Sequence, residues 1–290
     1  MIILIALAYV YQGPLKKWQA GFGQPENFLA GIRADAIDKI EMTRDGKTVT
    51  LKKEEGRWKI AETKDFYAKS AVIATLLDDL RNTSRFALTL VSANKDKKKE
   101  FQTDESGTEV RIYQNNKLAS DFIVGSLSSD FSSSYVSRPG SSDTYATADF
   151  FNLFTQKDWR DPEIFSSDKE GIDKIRLQYS GKEFILEKKG SDWTASKPFK
   201  FVPDKEKIGK ILDVMTGLSA VDIPEQTFKG TGLEKNSLIV EVSGGGTDNI
   251  LMVGDKNKEG LYYAKRGNSD NIYLIGQTTV SDLESDLRKR

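Results

Sequence analysis

One stretch of the sequence occurs twice. "IDKIEMTRDGKTVTLKKEEGRW" begins at Ile37, and "IDKIRLQYSGKEFILEKKGSDW" begins 135 positions later, at Ile172. The two stretches align without a gap and share nine of 22 residues. An internal duplication constrains the fold, because whatever the first copy builds the second must build again. The identical pairs are Ile37/Ile172, Asp38/Asp173, Lys39/Lys174, Ile40/Ile175, Gly46/Gly181, Lys47/Lys182, Leu51/Leu186, Lys53/Lys188 and Trp58/Trp193.

The repeated stretch has the pattern of β-strands. Apolar residues alternate with polar ones in three successive segments of each copy, as in strands with one buried face. A turn sequence, Asp45-Gly46 or Ser180-Gly181, separates the first two segments. We therefore predict three antiparallel strands in each copy, with Trp58 or Trp193 as a large apolar side chain on the third.

A helix is predicted after the three strands of each copy. Apolar residues form one stripe along 68–81 in the first copy and along 203–218 in the second. Further alternating segments follow, and each copy closes with a predicted short helix at 148–160 or 278–290. The resulting order, β-β-β-α-β-β-β-β-α, indicates an α+β unit built around an antiparallel sheet, because hairpin connections predominate.

The predicted architecture is two tandem homologous lobes, each a mainly antiparallel β-sheet with one or two packed helices. We assign residues 1–31 to an apolar N-terminal anchor remnant and linker. Residues 32–165 form the first α+β repeat, and residues 166–290 form the second.

The N-terminal segment indicates attachment of the protein to a membrane. Residues 1–11, "MIILIALAYVY", are uninterrupted apolar sequence, whereas a spanning helix needs about 20 apolar residues. The basic region that opens a secretory signal peptide is missing. We predict the trailing part of an N-terminal anchor that holds the protein on the extracytoplasmic face of the membrane. The alternative is a buried apolar strand or helix.

Composition excludes several kinds of chemistry. The chain has no His and no Cys, which rules out thiol nucleophiles, imidazole bases and Cys/His zinc sites. A carboxylate pair, a Ser-Lys pair or an oxygen-ligated cation remains open. Lys+Arg and Asp+Glu both number 43, without the basic excess typical of a nucleic-acid binder. We identify no catalytic, cofactor-binding or metal-binding residues, and we expect no nucleic-acid partner.

Six residues are candidates for binding a partner. Two acid–arginine pairs close the two repeats, and an arginine fork suits an anionic group; a salt bridge or a helix-end contact is the alternative. Two adjacent tyrosines on a predicted hairpin suit a glycan or a peptide, with packing on the sheet as the alternative. The candidates are Asp158, Arg160, Asp286, Arg288, Tyr262 and Tyr263.

The motifs resemble those of the domain-of-unknown-function 4340 family. The features that carry the resemblance are the apolar N-terminus, the "IDKI…G…L…W" opening followed by a helix, "VG" before a "YY…R" strand, and the closing "DWR" and "DLR". The resemblance implies membrane-anchored, extracytoplasmic proteins often encoded beside ABC-type transporter components such as the gliding-motility auxiliary protein. It supplies no catalytic residues.

We therefore expect a non-enzymatic accessory or binding protein of the bacterial cell envelope. Its partner would be a protein or an envelope polymer, including components of an ABC-type transport system. Two alternatives stay open at this point. One is an envelope hydrolase that acts through two carboxylates, and the other is a soluble ligand-binding protein with its site between the lobes.

Overall fold

The backbone forms two compact units. The computed structural model describes residues 27–61, 63–85, 88–147, 156, 158–179, 181–235, 237–284 and 286–288. The first unit runs to Thr63 and includes Tyr67–Trp159, and the second consists of Lys64–Phe66 and of the chain from Arg160 onward. The described residues form an eight-stranded sheet and a seven-stranded sheet, both antiparallel. The predicted α+β fold with two lobes is confirmed, whereas the repeat border at 165/166 rests on sequence similarity and stays a prediction.

The first unit contains the eight-stranded sheet. Its elements are β1 (Ile37–Arg44), β2 (Lys47–Glu54), β3 (Arg57–Ile60), α1 (Ser70–Thr83), β4 (Thr89–Ser92), β5 (Thr108–Gln114), β6 (Lys117–Leu127), β7 (Ser134–Ser137) and β8 (Thr144–Thr147). Their order across the sheet is β3-β2-β1-β5-β6-β7-β8-β4. Short 3-10 helices at Ala34–Ala36 and Lys95–Lys97 precede β1 and β5.

The second unit contains the seven-stranded sheet. Its elements are β9 (Lys174–Tyr179), β10 (Lys182–Lys189), β11 (Asp192–Lys197), α2 (Lys205–Thr216), β12 (Leu238–Gly244), β13 (Thr247–Lys256), β14 (Tyr262–Arg266), β15 (Tyr273–Ile275) and α3 (Gln277–Leu283). Their order across the sheet is β11-β10-β9-β12-β13-β14-β15. This unit therefore has the predicted order β-β-β-α-β-β-β-β-α.

Strand order and register agree between the two units. When β4 is set aside, the strands of the first sheet correspond one by one to those of the second. Ile40 lies opposite Leu51 across β1 and β2, and Ile175 lies opposite Leu186 across β9 and β10. Both pairs keep the sequence offset of 135, so the duplication seen in the sequence is a duplication of the fold.

The apolar residues that the two copies share lie in the cores. Ile40 and Leu51 are buried, as are their counterparts in the second unit. Trp58 and Trp193 are each 7% exposed, so the repeated tryptophan has the same degree of burial in both units. Burial of so large a side chain contributes several kcal/mol to the stability of each unit.

The two long helices each bury one stripe against their unit. Helices α1 and α2 lie close to the predicted ranges and differ at their first turns. Asp204 accepts hydrogen bonds from the amides of Glu206 and Lys207 and so caps α2; Lys69 gives α1 no such side-chain cap. The buried apolar residues are Ile73, Leu76 and Leu80 in α1 and Ile208, Ile211 and Met215 in α2.

A valine–glycine pair in β6 recurs in β13 because neighbouring backbone lies against both glycines. A Cβ atom on Gly125 would overlap with the carbonyl oxygen of Phe101, and one on Gly254 would overlap with that of Thr231. The amide that follows each glycine donates a hydrogen bond to the same oxygen, at 2.9 Å in the first unit and 2.7 Å in the second. Only glycine leaves room for this contact.

Two predicted segments fall outside the described residues. These are 1–26, which hold the proposed anchor, and most of the closing helix predicted at 148–160. The closing helix of the second repeat is α3. None of the helices that the structure describes has the length and apolar character needed to cross a membrane.

Candidate functional site

A cleft of about 360 Å³ opens on the second unit. Its volume falls in the range of sites that bind ligands. Three pieces of the chain form it: the β9–β10 hairpin, the connection between β11 and α2, and the chain after α3. The residues that line it are Tyr179, Lys182, Phe184, Pro198, Phe199, Phe201, Glu284, Asp286 and Arg288.

The hairpin supplies a stacked aromatic pair. Phe184 lies opposite Leu177 across the two strands, so Tyr179, two residues further along β9, is its diagonal neighbour on the same face. The rings of Tyr179 and Phe184 are 5.6 Å apart with an interplanar angle of 17°. Burial raises the pKa of the Tyr179 phenol, and the charges of Asp286 and Glu284 act in the same direction. The tyrosine is therefore a neutral, largely apolar surface at physiological pH.

The connection after β11 supplies a second aromatic pair. The Phe201 amide donates to the Ala195 carbonyl oxygen at 3.3 Å, and the Ala195 amide donates back at 2.9 Å, which fixes Phe201 beside the sheet. The Phe199 ring lies 5.6 Å from that of Phe201 at 53°. Phe199 is 54% exposed, so a large apolar side chain is held at the surface within a cluster of rings.

An ion pair forms the charged end of the cleft. Arg288 donates from Nε to Asp286 Oδ1 at 3.0 Å and from Nη2 to Oδ2 at 2.8 Å, a two-point contact. These bonds hold the pKa of the Asp286 carboxyl well below its usual range. Leu287, between them, is buried and accepts a hydrogen bond from the Asp204 amide at 2.9 Å. Asp286 and Arg288 thus form a salt bridge, and the binding interpretation of this pair stays a prediction.

The acid–arginine pair of the first repeat lies elsewhere. Arg160 belongs to the second unit, where it donates to the carbonyl oxygens of Ile223 at 2.9 Å and Pro224 at 3.3 Å. Its guanidinium carbon lies 5.4 Å from the centroid of the Phe66 ring. Asp158 is part-buried at the end of the first unit. Neither residue lines the cleft.

The two candidate tyrosines lie on a different part of the second unit. Tyr262 and Tyr263 are on β14, opposite Ile275 and Leu274 of β15. The ammonium group of Lys256 lies 5.5 Å from the centroid of the Tyr262 ring. The structure thus brings Asp286 and Arg288 together with four aromatic rings, and Tyr262 and Tyr263 are not among the residues that line that cleft.

The first unit has a cleft of about 380 Å³ with a different lining. Burial raises the pKa of Asp121 in it, and the nearby charge of Glu109 adds to the effect. One ring, that of Phe28, lines it and lies 6.0 Å from the Tyr145 ring. The lining residues are Phe28, Leu118, Ala119, Ser120, Asp121, Arg138 and Pro139. Fewer rings face this space, so the cleft of the second unit is the stronger candidate for binding a partner.

The chemistry of the second cleft is that of recognition. Exposed rings stack on apolar or planar groups, and a guanidinium fixed by a carboxylate keeps further donors. Asp286 stays ionised over the physiological range because Arg288 stabilises its charge, so it is a poor proton donor. Among the residues that the structure describes, no group of three or more Asp or Glu could hold a metal ion.

Sequence reasoning missed the aromatic lining. The stretch "KPFKFVP" at 197–203 occupies the position of "ETKDFYA" at 62–68 in the first repeat. Phe201 corresponds to Phe66, but Phe199 stands where the first repeat has Lys64. A phenylalanine gained in a connecting segment of one copy was the signal that could have identified the site.

The fold and the cleft define a class: an α+β protein made of two copies of one sheet-and-helix unit, with an aromatic cleft on the second. The chain matches the family described as domain of unknown function (DUF4340) over residues 58–231 and 193–289. It belongs to that family, as the motifs predicted. The two matches begin at Trp58 and Trp193, the repeated tryptophans. No curated protein and no solved structure matches the chain.

Proposed function

We propose that this chain is a non-enzymatic binding protein of the cell envelope that docks a segment of a partner protein in the cleft of its second unit. The observation that carries the proposal is the cluster of four aromatic rings beside the Asp286–Arg288 pair. Aromatic residues and arginine are the side chains that most often dominate the binding energy of protein interfaces.

The exposure of the cluster favours a docked partner. Phe199 leaves more than half of its surface in water, and covering an apolar side chain stabilises a complex by about 25 cal/mol per Å² of area removed from water. The rings of Phe199 and Phe201 are already ordered by the backbone pairing of Phe201 with Ala195. A preorganised surface loses less conformational entropy on binding.

A hydrolase would need a different arrangement. Carboxylate-dependent hydrolysis uses one carboxylic acid with a raised pKa beside a second carboxylate. In the cleft, Asp286 has a lowered pKa because it is paired with Arg288. At the cleft of the second unit the binding role is therefore the better supported of the two; a carboxyl with a raised pKa beside a second carboxylate occurs instead in the first unit, at Asp121 and Glu109. A site between the lobes stays a prediction.

The cellular setting is proposed from the sequence. The apolar residues 1–11 support N-terminal attachment to the membrane, with the two units on its extracytoplasmic face. The resemblance to accessory proteins of ABC-type transport supports a transporter component as the partner. A protein that presents an aromatic cleft on its surface suits such an accessory role.

Photo-crosslinking in native cells tests the proposal. A photoreactive phenylalanine analogue at position 199 lies in the cleft, and the same analogue at position 131 is a matched control, because Phe131 is 69% exposed in the first unit. We expect a protein adduct of one defined mass from position 199, recovered in the membrane fraction, and no such adduct from position 131.

Three outcomes would contradict the proposal. Equal adducts from both positions would indicate non-specific contact. Adducts that carry glycan instead of protein would identify an envelope polymer as the partner. A protein found only in the cytosolic fraction would remove the envelope setting.

A further inference from the structure

The first repeat has counterparts of the cleft residues, which are called here the earlier copy of the cleft. Its residues Phe66 and Arg160 belong to the second unit of the structure. Phe66 and Phe201 each follow the repeated tryptophan by eight positions, and Arg160 and Arg288 close the "DWR" and "DLR" motifs. In both copies the carbonyl oxygen just before this arginine accepts a hydrogen bond from the amide just before the long helix, at 3.1 Å and 2.9 Å. Phe66 with Arg160 is therefore the counterpart of Phe201 with Arg288.

The earlier copy is filled. Phe66 is 1% exposed, and its ring meets the Tyr273 ring at 5.7 Å in an edge-to-face arrangement. Arg160, above the Phe66 ring, donates to two successive carbonyl oxygens, those of Ile223 and Pro224. Two parts of the chain thus occupy this site: Tyr273 packs against the ring, and the segment with Ile223 and Pro224 presents adjacent carbonyl groups to the guanidinium.

The later copy is open. Phe201 is only part-buried, and Phe199 beside it is exposed. A guanidinium has five N–H donors, and the bidentate pair with Asp286 uses the Nε and Nη2 groups of Arg288. Arg160, which binds the carbonyl groups of Ile223 and Pro224 in the filled copy, therefore has an exposed counterpart, Arg288, in the open copy.

We infer that the open cleft binds an extended, proline-containing segment of a partner protein, whose successive backbone carbonyl oxygens accept hydrogen bonds from Arg288 while an apolar side chain packs on Phe201. The inference rests on the proposed function and names the chemistry of the docked segment. Aromatic-lined grooves suit such segments because a polyproline-like chain is already extended and loses little entropy on binding.

A second copy of this chain fits the cleft less well. The aromatic residue that fills the earlier site is Tyr273, and its counterpart in the first unit is Tyr145. Tyr273 is covered by Phe66, and the Phe28 ring lies 6.0 Å from Tyr145 in an edge-to-face arrangement. The tyrosine at this position is thus engaged within its own unit in both repeats.

A peptide with the sequence around Ile223 and Pro224, the residues that Arg160 binds, serves as the probe. A fluorescent peptide with residues 220–228, "AVDIPEQTF", is titrated with the full chain, and fluorescence polarisation measures binding. We expect saturable binding that Arg288→Gln weakens about tenfold or more, because hydrogen bonds to a charged donor are lost. Phe199→Ala should weaken it severalfold, and its exposed position spares the fold. Arg81→Gln, at an exposed helix position paired with Asp78, is the matched control and should leave binding unchanged.

The inference has clear ways to fail. No saturable binding up to about 1 mM peptide, or equal binding by the Arg288→Gln and wild-type chains, would overturn it. Equal binding of a peptide with Ile223→Ala and Pro224→Ala would do the same. Self-association of the full chain that Arg288→Gln abolishes would identify a second copy as the occupant. If the crosslink at position 199 forms while the peptide does not bind, the proposed function survives and this inference alone is wrong.

Discussion

The two repeats place the same arginine in different surroundings. Arg160, at the end of the first repeat, donates to two backbone carbonyl oxygens and covers the ring of Phe66. Arg288, at the end of the second, pairs with Asp286 at an exposed cleft. The same motif thus meets backbone carbonyl oxygens in the first repeat and a carboxylate in the second. The comparison teaches that a duplicated motif can take different contacts in its two copies.

The outer edge of each sheet shows a second difference. In the first unit β4 pairs with β8 as an eighth strand. In the second unit the corresponding edge is a single bridge between Asp222 and Leu274, with the Val221 amide donating to the Leu274 carbonyl oxygen at 2.8 Å. The same connection has thus been kept as a strand in one copy and reduced to two hydrogen bonds in the other.

The repeated tryptophan gives the largest expected effect. Trp58→Ala and Trp193→Ala should each lower the free energy of unfolding by about 3–5 kcal/mol, because both remove a buried aromatic side chain and leave a cavity. Since the two side chains are equally buried, at 7% exposure, the two losses should agree within about 1 kcal/mol. Urea unfolding measures the loss, and hydrogen exchange shows which unit carries it.

Leu118→Ala is the control for this pair, because Leu118 is 53% exposed and its truncation should cost less than about 0.5 kcal/mol. A difference above about 2 kcal/mol between the two tryptophan variants would break the equivalence of the cores. So would protection lost in the unit that does not contain the substituted residue.

The shared core could be predicted from the sequence because its signal is both periodic and repeated. Ile40, Leu51 and Trp58 alternate with polar residues and have identical counterparts 135 positions on. Each of these positions must hold an apolar residue because its strand buries that position, so the sequence pattern directly reports the structure. Strand β4 was missed for the opposite reason: Leu90 and Val91 are both exposed, and a strand without a buried face has no alternation to read.

The candidate site could be predicted only in part. Asp286 and Arg288 were identified because the motif recurs in the first repeat, and the structure places both in the cleft. The aromatic lining was missed because comparison of the copies selects what they share, whereas Phe199 is a residue that the first copy lacks. Residues retained for the fold are visible in a duplication. A residue present in one copy alone, such as Phe199, is visible only as a difference between the copies.

A third comparison concerns two contacting positions that hold a lysine and a serine in the first unit but a phenylalanine and a lysine in the second. In the first unit the buried Lys98 ammonium donates to Ser137 Oγ at 2.8 Å and to the Ser141 carbonyl oxygen at 2.6 Å, and burial lowers the pKa of this lysine. In the second unit Phe228 stands at the position of the lysine and Lys265 at that of the serine. There the ammonium lies 5.5 Å from the ring centroid, a cation–π contact.

Exchanging this pair should reveal coupling of intermediate size. Lys98→Phe alone leaves the Ser141 carbonyl oxygen without its donor and should cost about 1–3 kcal/mol. Ser137→Lys alone buries a second ammonium beside the first and should cost about 3 kcal/mol. The double variant recreates the pair of the second unit, so its cost should be about 1–3 kcal/mol below the sum of the two.

Unfolding in urea measures all four chains of this cycle. Additivity within about 0.5 kcal/mol would show that the two positions do not act as a pair, and the correspondence between the units would then fail at this point. Thr43→Ala, in the same unit and hydrogen-bonded to Thr48 at an exposed position, serves as the control, and it should add independently to either single variant.

The smallest expected effect concerns the loop after the valine–glycine strand. In both units one side chain closes this loop on its own backbone: Ser128 Oγ accepts from the Ser133 amide at 3.0 Å, and Asn257 Oδ1 accepts from the Leu261 amide at 2.8 Å. The first unit adds an acid at the tip. Hydrogen bonds from the Ser128 and Ser132 hydroxyls and from the Ser132 amide lower the pKa of Asp130 to about 2.

This acid should make the first loop, and not the second, sensitive to acid near pH 2. A carboxyl whose pKa is depressed in the folded chain adds stability above its ordinary pKa of about 4 and loses it as pH falls through about 2. We expect the Ser132 amide resonance to titrate with a midpoint near pH 2, and the Leu261 amide, bonded to an amide oxygen that does not titrate, to show no step there. Ser128→Ala should raise the Ser132 midpoint toward 4, and Asp130→Asn should remove it. A wild-type midpoint near 4 would mean that the serines leave the pKa of Asp130 unperturbed, and the expected contrast between the two loops would fail.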